Sequence, residues 1–142
     1  MFLVSACLAG FNCRYNGGNC ATKIVQDLVN DGMAMPICPE QLAGLPTPRE
    51  SCEMKIDMCG SKRILDKYGR DYTEEFTKGA ELTLAIARTI GAKEAILKSK
   101  SPSCGCGLIY DGTFSGEVIE GDGLVAELLK KNGIYVRTES GQ

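Results

Sequence analysis

Four short apolar, β-prone runs, Phe2-Leu3-Val4, Met33 to Ile37, Ala92 to Leu97 and Ile134-Tyr135-Val136, alternate with segments of helical periodicity. Runs this short and this apolar suit strands buried on both faces of a sheet. Thr22 is an N-cap candidate for a first helix whose face is Ile24, Val25, Leu28 and Val29, and Asn30-Asp31-Gly32 ends it. The longest helix opens at Thr73-Glu74-Glu75-Phe76, with carboxylates in its first turn, and stops at Gly91. A third runs from Leu124 to Lys131 and ends at Asn132-Gly133. The order strand, helix, strand, excursion, helix, strand, helix, strand predicts a three-layer α/β fold with a mainly parallel sheet. Residues 1–142 are expected to form one domain. Pro36 suits an edge strand. The excursion, Glu50 to Tyr72, has room for a hairpin around Ile64-Leu65 and Tyr68-Gly69, and the stretch from Ile109 to Gly123 reads as irregular.

In open parallel sheets, ligands bind beyond the carboxyl ends of the strands. There the third run passes into Lys98-Ser99-Lys100-Ser101-Pro102-Ser103-Cys104-Gly105-Cys106-Gly107, a loop of thiols, hydroxyls and glycines. Cys7 and Cys38 follow the first and second runs, so Cys7, Cys38 and Cys104 fall at one sheet edge. The long loop from Leu8 to Ala21 carries Cys13, Arg14, Tyr15 and Cys20, and Gly44-Leu45-Pro46-Thr47-Pro48-Arg49 is a turn-rich segment on the surface or lining a cleft.

Eight cysteines in 142 residues require either a disulfide framework or thiol and metal chemistry. Met1 to Gly10 is too short for a secretory segment and lacks a basic leader. Only three residues precede Val4-Ser5-Ala6-Cys7, too few to make it a lipidation site. No apolar run approaches the ~18 residues of a membrane span. A cytoplasmic location with no membrane partner is expected, and reduced thiols with it. A net charge of −2 disfavours extended nucleic-acid binding, leaving only a local basic patch around Lys98, Lys100 and Arg49. The chain has no histidine, so acid–base work falls to a carboxylate, hydroxyl, thiol, lysine or metal-bound species.

Spacing alone leaves Cys7, Cys38 and Cys104 either as buried thiols or as ligands. No paired CxxC zinc signature is present, and Cys104-Gly105-Cys106 is CxC. If the three do ligate, thiolates without a fourth partner favour an iron–sulfur cluster with one open iron. Glu40 stands two residues from a thiol, where it could cap the next turn or face the same cleft. Ser101-Pro102-Ser103 is common turn composition. Arg14 and Arg49 read either as carbonyl or anion contacts or as solvated surface residues. Cys13, Cys20, Cys52, Cys59 and Cys106 lack a strand-end position and read as spares, Cys106 foremost because it adjoins Cys104. The glycine pairs do not form a nucleotide-phosphate cradle.

Together, Ser5-Ala6-Cys7-Leu8 with Gly10 and Arg14-Tyr15, Cys38-Pro39-Glu40 with Gly44 to Arg49, and Lys98-Ser99 with Ser101-Pro102-Ser103-Cys104-Gly105 resemble the motifs of the thiouracil desulfidase family. The resemblance runs from about residue 2 to 137. It implies a Rossmann-like fold, a [4Fe–4S] cluster held by Cys7, Cys38 and Cys104, and acid–base groups Glu40 and Ser101. The implied reaction removes sulfur from a small thiolated base or nucleoside without net redox change. Many members lack the thiols at 13, 52, 59 and 106. The alternative is a non-catalytic zinc-binding or thiol redox-responsive protein.

Overall fold

Phe2–Ser5 (β1) forms the inside of a four-stranded parallel sheet in the computed structural model, which describes residues 1–141. Ala34–Ile37 (β2) flanks it on one side, and Glu94–Leu97 (β5) followed by Tyr135–Thr138 (β8) on the other, giving the order β2-β1-β5-β8. Phe2 pairs with Ala34 and Glu94, and Val4 with Pro36 and Ile96. Leu3 and Val4 are fully buried, yet they serve opposite layers because successive side chains of a strand point to opposite faces. Leu3 packs with Leu84 and Ala87 of Thr73–Thr89 (α3) and Val125 and Leu129 of Leu124–Lys131 (α4). Val4 and Ile96 pack with Val25 of Lys23–Asn30 (α1). The result is the three-layer α/β architecture the alternation implies, and each such buried aliphatic side chain contributes about 1.5–3 kcal/mol. Pro36 lies on the edge strand, and Thr22 caps α1 by accepting from the Val25 N–H at 3.4 Å. Among the described residues, no helix is long and apolar enough to cross a membrane.

Two hairpins stand outside the sheet. The first pairs Cys52–Ile56 (β3) with Lys62–Asp66 (β4), Met54 opposite Ile64. Its tip is an Asp57 turn, where Oδ1 accepts from the N–H groups of Cys59 and Ser61 at 2.9 and 2.8 Å. The expected position is therefore corrected: Ile64-Leu65 is inside the second strand, and Tyr68-Gly69 is a separate turn held by Asp66 Oδ1. The second hairpin, Leu108–Tyr110 (β6) with Val118–Glu120 (β7), occupies a stretch whose sequence reads as irregular. Met54, Ile64, Phe76 and Ile109 form one cluster that fastens both hairpins to the start of α3. That end of α3 lies at the carboxyl edge of the strands, so the hairpins wall the place where a ligand is expected.

A short helix, Pro39–Leu42 (α2), starts directly after β2. Pro39 occupies its first turn, where a missing N–H removes no helix hydrogen bond. α3 crosses it at Gly79, where a Cβ would stand 2.3 Å from the Pro39 carbonyl oxygen. Gly79→Ala is therefore expected to lose roughly 1–3 kcal/mol of stability by overpacking, against the small gain that Gly→Ala usually brings in a helix. Urea denaturation checks this, and an alanine variant as stable as the parent would show that α2 yields freely.

Candidate active site

The strand order reverses direction between β1 and β5, and the two strands are tied there by the Lys98 N–H, which donates to the buried Ser5 Oγ at 2.9 Å. Beyond this tie lies a cavity of about 490 Å³ lined by Cys7, Cys13, Cys38 and Cys104 together with Glu40. Cys7 is delivered by a 3-10 turn, Ala6–Ala9, which follows β1 without a break. Cys38 is the residue between β2 and α2, and Glu40 follows in the first turn of that helix. Glu40 does not cap α2: its Oε1 accepts from Ser103 Oγ at 2.7 Å, and its Oε2 stands 3.6 Å from the Cys38 thiol, competing for that S–H with the Cys13 carbonyl at 3.7 Å.

The loop carrying Cys104 is held from both sides. Ser101 Oγ accepts from the N–H groups of Ser103 and Cys104, each at 3.1 Å, and the Gly105 N–H returns to the Ser101 carbonyl at 2.8 Å. The carbonyls of Pro102 and Ser103 accept from the first N–H groups of α4, Leu124 at 3.0 Å and Val125 at 2.8 Å. α4 thus has no side-chain cap at Gly123 because loop carbonyls take its free donors. With both Ser101 lone pairs engaged by N–H groups, its hydroxyl proton points to Ser103 Oγ, 2.9 Å away, and the Ser103 proton points to Glu40. Ser101 meets Glu40 only through Ser103, which is 1% exposed. Sequence reasoning placed Ser103 in a turn and missed this bond; its position beside Cys104 was the only available signal.

The thiols share one electrostatic problem. Cys104 is pushed up to about 12 by burial and by the Glu40 charge, with Cys38 adding to it. Cys38 is pushed up further, first by its hydrogen-bonding contact with the Cys13 side chain and then by burial and Glu40. Cys13 ends at about 11: the bond from Cys38 pulls it down, but the bond to Cys7 and burial outweigh that pull. Of the coupled pair, Cys13 ionises first, since the shared proton stays on Cys38. Beside the hydrogen bonds between these thiols, the penalties shared by all three are burial and the repulsion of negative charge, and a cationic group among the sulfurs would oppose that repulsion. Such a donor set, soft thiols without histidine, suits iron–sulfur ligation. Among the described residues, no three side chains gather about one point as a cage for a single ion. A cuboidal cluster offers each thiolate its own iron, so its ligand sulfurs stand several ångströms apart instead of meeting on one ion.

The family model of 2-thiouracil desulfurase matches residues 2–141. The chain belongs to that family. A solved structure of TudS, described as a [4Fe–4S]-dependent thiouracil desulfidase, is similar with a TM-score of 0.89 and 39% identity, covering 98% of this chain and 90% of that one. YbbK of Bacillus subtilis (strain 168), an uncharacterized protein, is 46% identical over 145 residues, covering 99% of this chain and 96% of its own length.

Within this member of the desulfurase family, the structure redistributes the remaining cysteines. Cys13, read as a spare, is buried against Cys7 and Cys38. Cys52, assigned to an irregular excursion, opens β3 and lines the cavity, its thiol pushed up to about 12 by burial and by Asp66. Cys106, the foremost spare, is instead core: it packs with the α3 and α4 layer and points its thiol at the Val136 carbonyl, 3.7 Å away. Cys20 packs against the α1 cluster, and Cys59 is exposed at the hairpin tip. Arg49 is a carbonyl contact, with Nη2 donating to Cys13 O at 2.9 Å. Arg14 lies over the Tyr15 ring at 5.5 Å. Lys98 pairs with Glu139 at 3.1 Å, a carboxylate that no sequence pattern singled out.

With a pKa near 12, on the order of one Cys104 in ten thousand is thiolate at pH 8. Iodoacetamide at pH 8, applied to protein stripped of metal, is therefore expected to alkylate Cys59 long before Cys104 or Cys38. Peptide mass spectrometry reads the order, and simultaneous labelling would contradict the burial described above.

Proposed function

We propose that this chain is an iron–sulfur desulfidase that removes sulfur from thiouracil or a related thiolated base or nucleoside. Cys7, Cys38 and Cys104 are the proposed ligands of a [4Fe–4S] cluster, and the 142 residues act as one unit. The observation that carries the reading is a hydrogen-bonded carboxylate, Glu40, in the same cavity wall as these thiols. The family membership and the similarity to TudS support it.

When bound, a cluster with three thiolate ligands supplies an iron with an open position, a Lewis acid toward the substrate sulfur. The reaction exchanges C=S for C=O: one water is consumed, hydrosulfide and a proton are released, and no electron is transferred. Water must lose protons as the C–O bond forms, and this chain has no histidine to take them. Glu40 is the assigned base. Its Oε1 is held by the Ser103 hydroxyl, which leaves Oε2, the atom facing Cys38, to receive the proton. Ser101 points its proton to Ser103 Oγ, and Ser103 points its own to the carboxylate. They keep it oriented, and Ser101 acts through Ser103.

Protein purified and reconstituted without oxygen tests the assignment, with iron and acid-labile sulfide measured on each sample. Glu40→Gln is expected to keep parental iron and lose about 10²–10⁴-fold in hydrosulfide release from 2-thiouracil. Ser103→Ala is expected to lose roughly tenfold or more, the share of a hydrogen bond to a charged group. Cys104→Ser should lose most iron while Cys59→Ser keeps it. Full turnover by Glu40→Gln at equal iron would remove Glu40 from the chemistry, and zinc in place of iron and sulfide would end the desulfidase reading.

A further inference from the structure

Among the described residues, two that are not glycine have left-handed backbone, Lys100 at φ +66° and Phe114 at φ +58°. Lys100 lies in the loop that delivers Cys104. Phe114 lies in the turn of the β6–β7 hairpin, and its half-buried side chain lines the cavity. A bulky residue in this backbone region is an outlier, and such outliers persist only where the surroundings impose them. Here the surroundings are visible: Glu53 Oε1, on β3, accepts from the N–H groups of Gly112 at 3.0 Å and Phe114 at 3.1 Å. Gly112 must be glycine at this crossing, since φ is +91° and a Cβ would lie 2.9 Å from the Met54 carbonyl oxygen. One carboxylate therefore clamps one hairpin's turn onto the other hairpin.

The strain at Phe114 has no packing reward. Among the described residues, the three apolar clusters do not include Phe114. Three other rings in the wall are accounted for: Phe76 and Tyr72 belong to the cluster beneath the hairpins, and Tyr15 carries the Arg14 guanidinium. Tyr110, opposite Val118 in the β6 ladder, lines the same wall but carries a hydroxyl and has no left-handed backbone. Phe114 is left as an apolar plane presented to the cavity by a clamped, strained turn, with no hydrogen-bonding atom of its own. The ligand such a plane recognises is a flat π-face.

We infer that Phe114 is the stacking surface for the planar ring of the substrate, and that Glu53 is the positioning residue that holds it there. This rests on the proposed desulfidase reading and deepens it: the site selects ring-borne thiocarbonyls over open-chain thioamides. Removing a ring on which a base stacks weakens binding about 5- to 150-fold.

The test uses the cluster-reconstituted full chain and two probes, uracil for equilibrium binding by calorimetry and 2-thiouracil for turnover, with thioacetamide as the non-aromatic control. Phe114→Gly is chosen because glycine takes this backbone without strain. It is expected to weaken uracil binding about tenfold or more and to raise KM for 2-thiouracil in proportion, with kcat nearly unchanged. Its thermal midpoint is expected to stay level or rise, whereas a ring kept for packing would lower it. Glu53→Ala should copy the loss, and Glu53→Gln, which retains a carbonyl acceptor, should restore most of it. Thioacetamide turnover should not respond to any of these changes. Unchanged uracil affinity in Phe114→Gly, or an equal loss with thioacetamide, overturns the inference. If the parent binds uracil through Phe114 but releases no sulfide from any thiolated base, the desulfidase reading falls and the stacking role stands. If the parent desulfurates and Phe114→Gly keeps its KM, only the stacking role falls.

Discussion

The Ser103–Glu40 hydrogen bond joins the loop after β5 to the helix after β2 across 63 residues of sequence, and the site depends on it. Ser103 can make it because its backbone is engaged elsewhere: its carbonyl accepts from the first turn of α4, and its N–H donates to Ser101. One buried residue thereby couples the packing of α4 on the sheet to the orientation of a carboxylate. Without that hydroxyl, Glu40 Oε1 would lose its 2.7 Å donor in a partly buried position, a deficit of about 1–3 kcal/mol. The same loop presents Cys104, so the thiol and the carboxylate move as one assembly.

Around that bond, the cavity gathers groups that resist being charged together. Cys13 and Cys38 are held in their neutral form by hydrogen bonds to neighbouring thiols and by burial, and Cys104 by burial and Glu40. A fold rarely gathers such groups for stability alone, and perturbed titration concentrates where chemistry is done. The strain at Phe114 belongs to the same pattern on the opposite wall. The rigid part of the molecule, a parallel sheet with Leu3 and Val4 buried in its two faces, supplies the stability against which these local costs are set.

Much of the architecture was legible because parallel strands in a three-layer fold are apolar on both faces and leave dense, unmistakable runs. Pro36 even marked the edge strand. The two hairpins were less legible for the converse reason. Each strand of the β3–β4 pair contributes one fully buried apolar residue, Met54 or Ile64, and β7 contributes none, so no period-2 alternation rises above the polar background. Cys52 was misjudged on the same ground. Cys106 stood out among the spares because a CxC pair looks chemically joint, whereas both thiols border the α3 and α4 layer and, of the two, Cys104 alone also lines the cavity.

By itself, the sequence determined the layer order, the sheet edge at which the thiols emerge, and the absence of any imidazole from the chemistry. Those properties follow from local periodicity and composition, which each segment carries whatever its neighbours do. Only the tertiary structure decided which thiols meet, that Ser103 rather than Ser101 touches Glu40, and that Glu53 forces Phe114 into a left-handed turn. Each of these is a contact between segments distant in sequence. Its existence depends on how the layers and hairpins pack, and no local pattern encodes that.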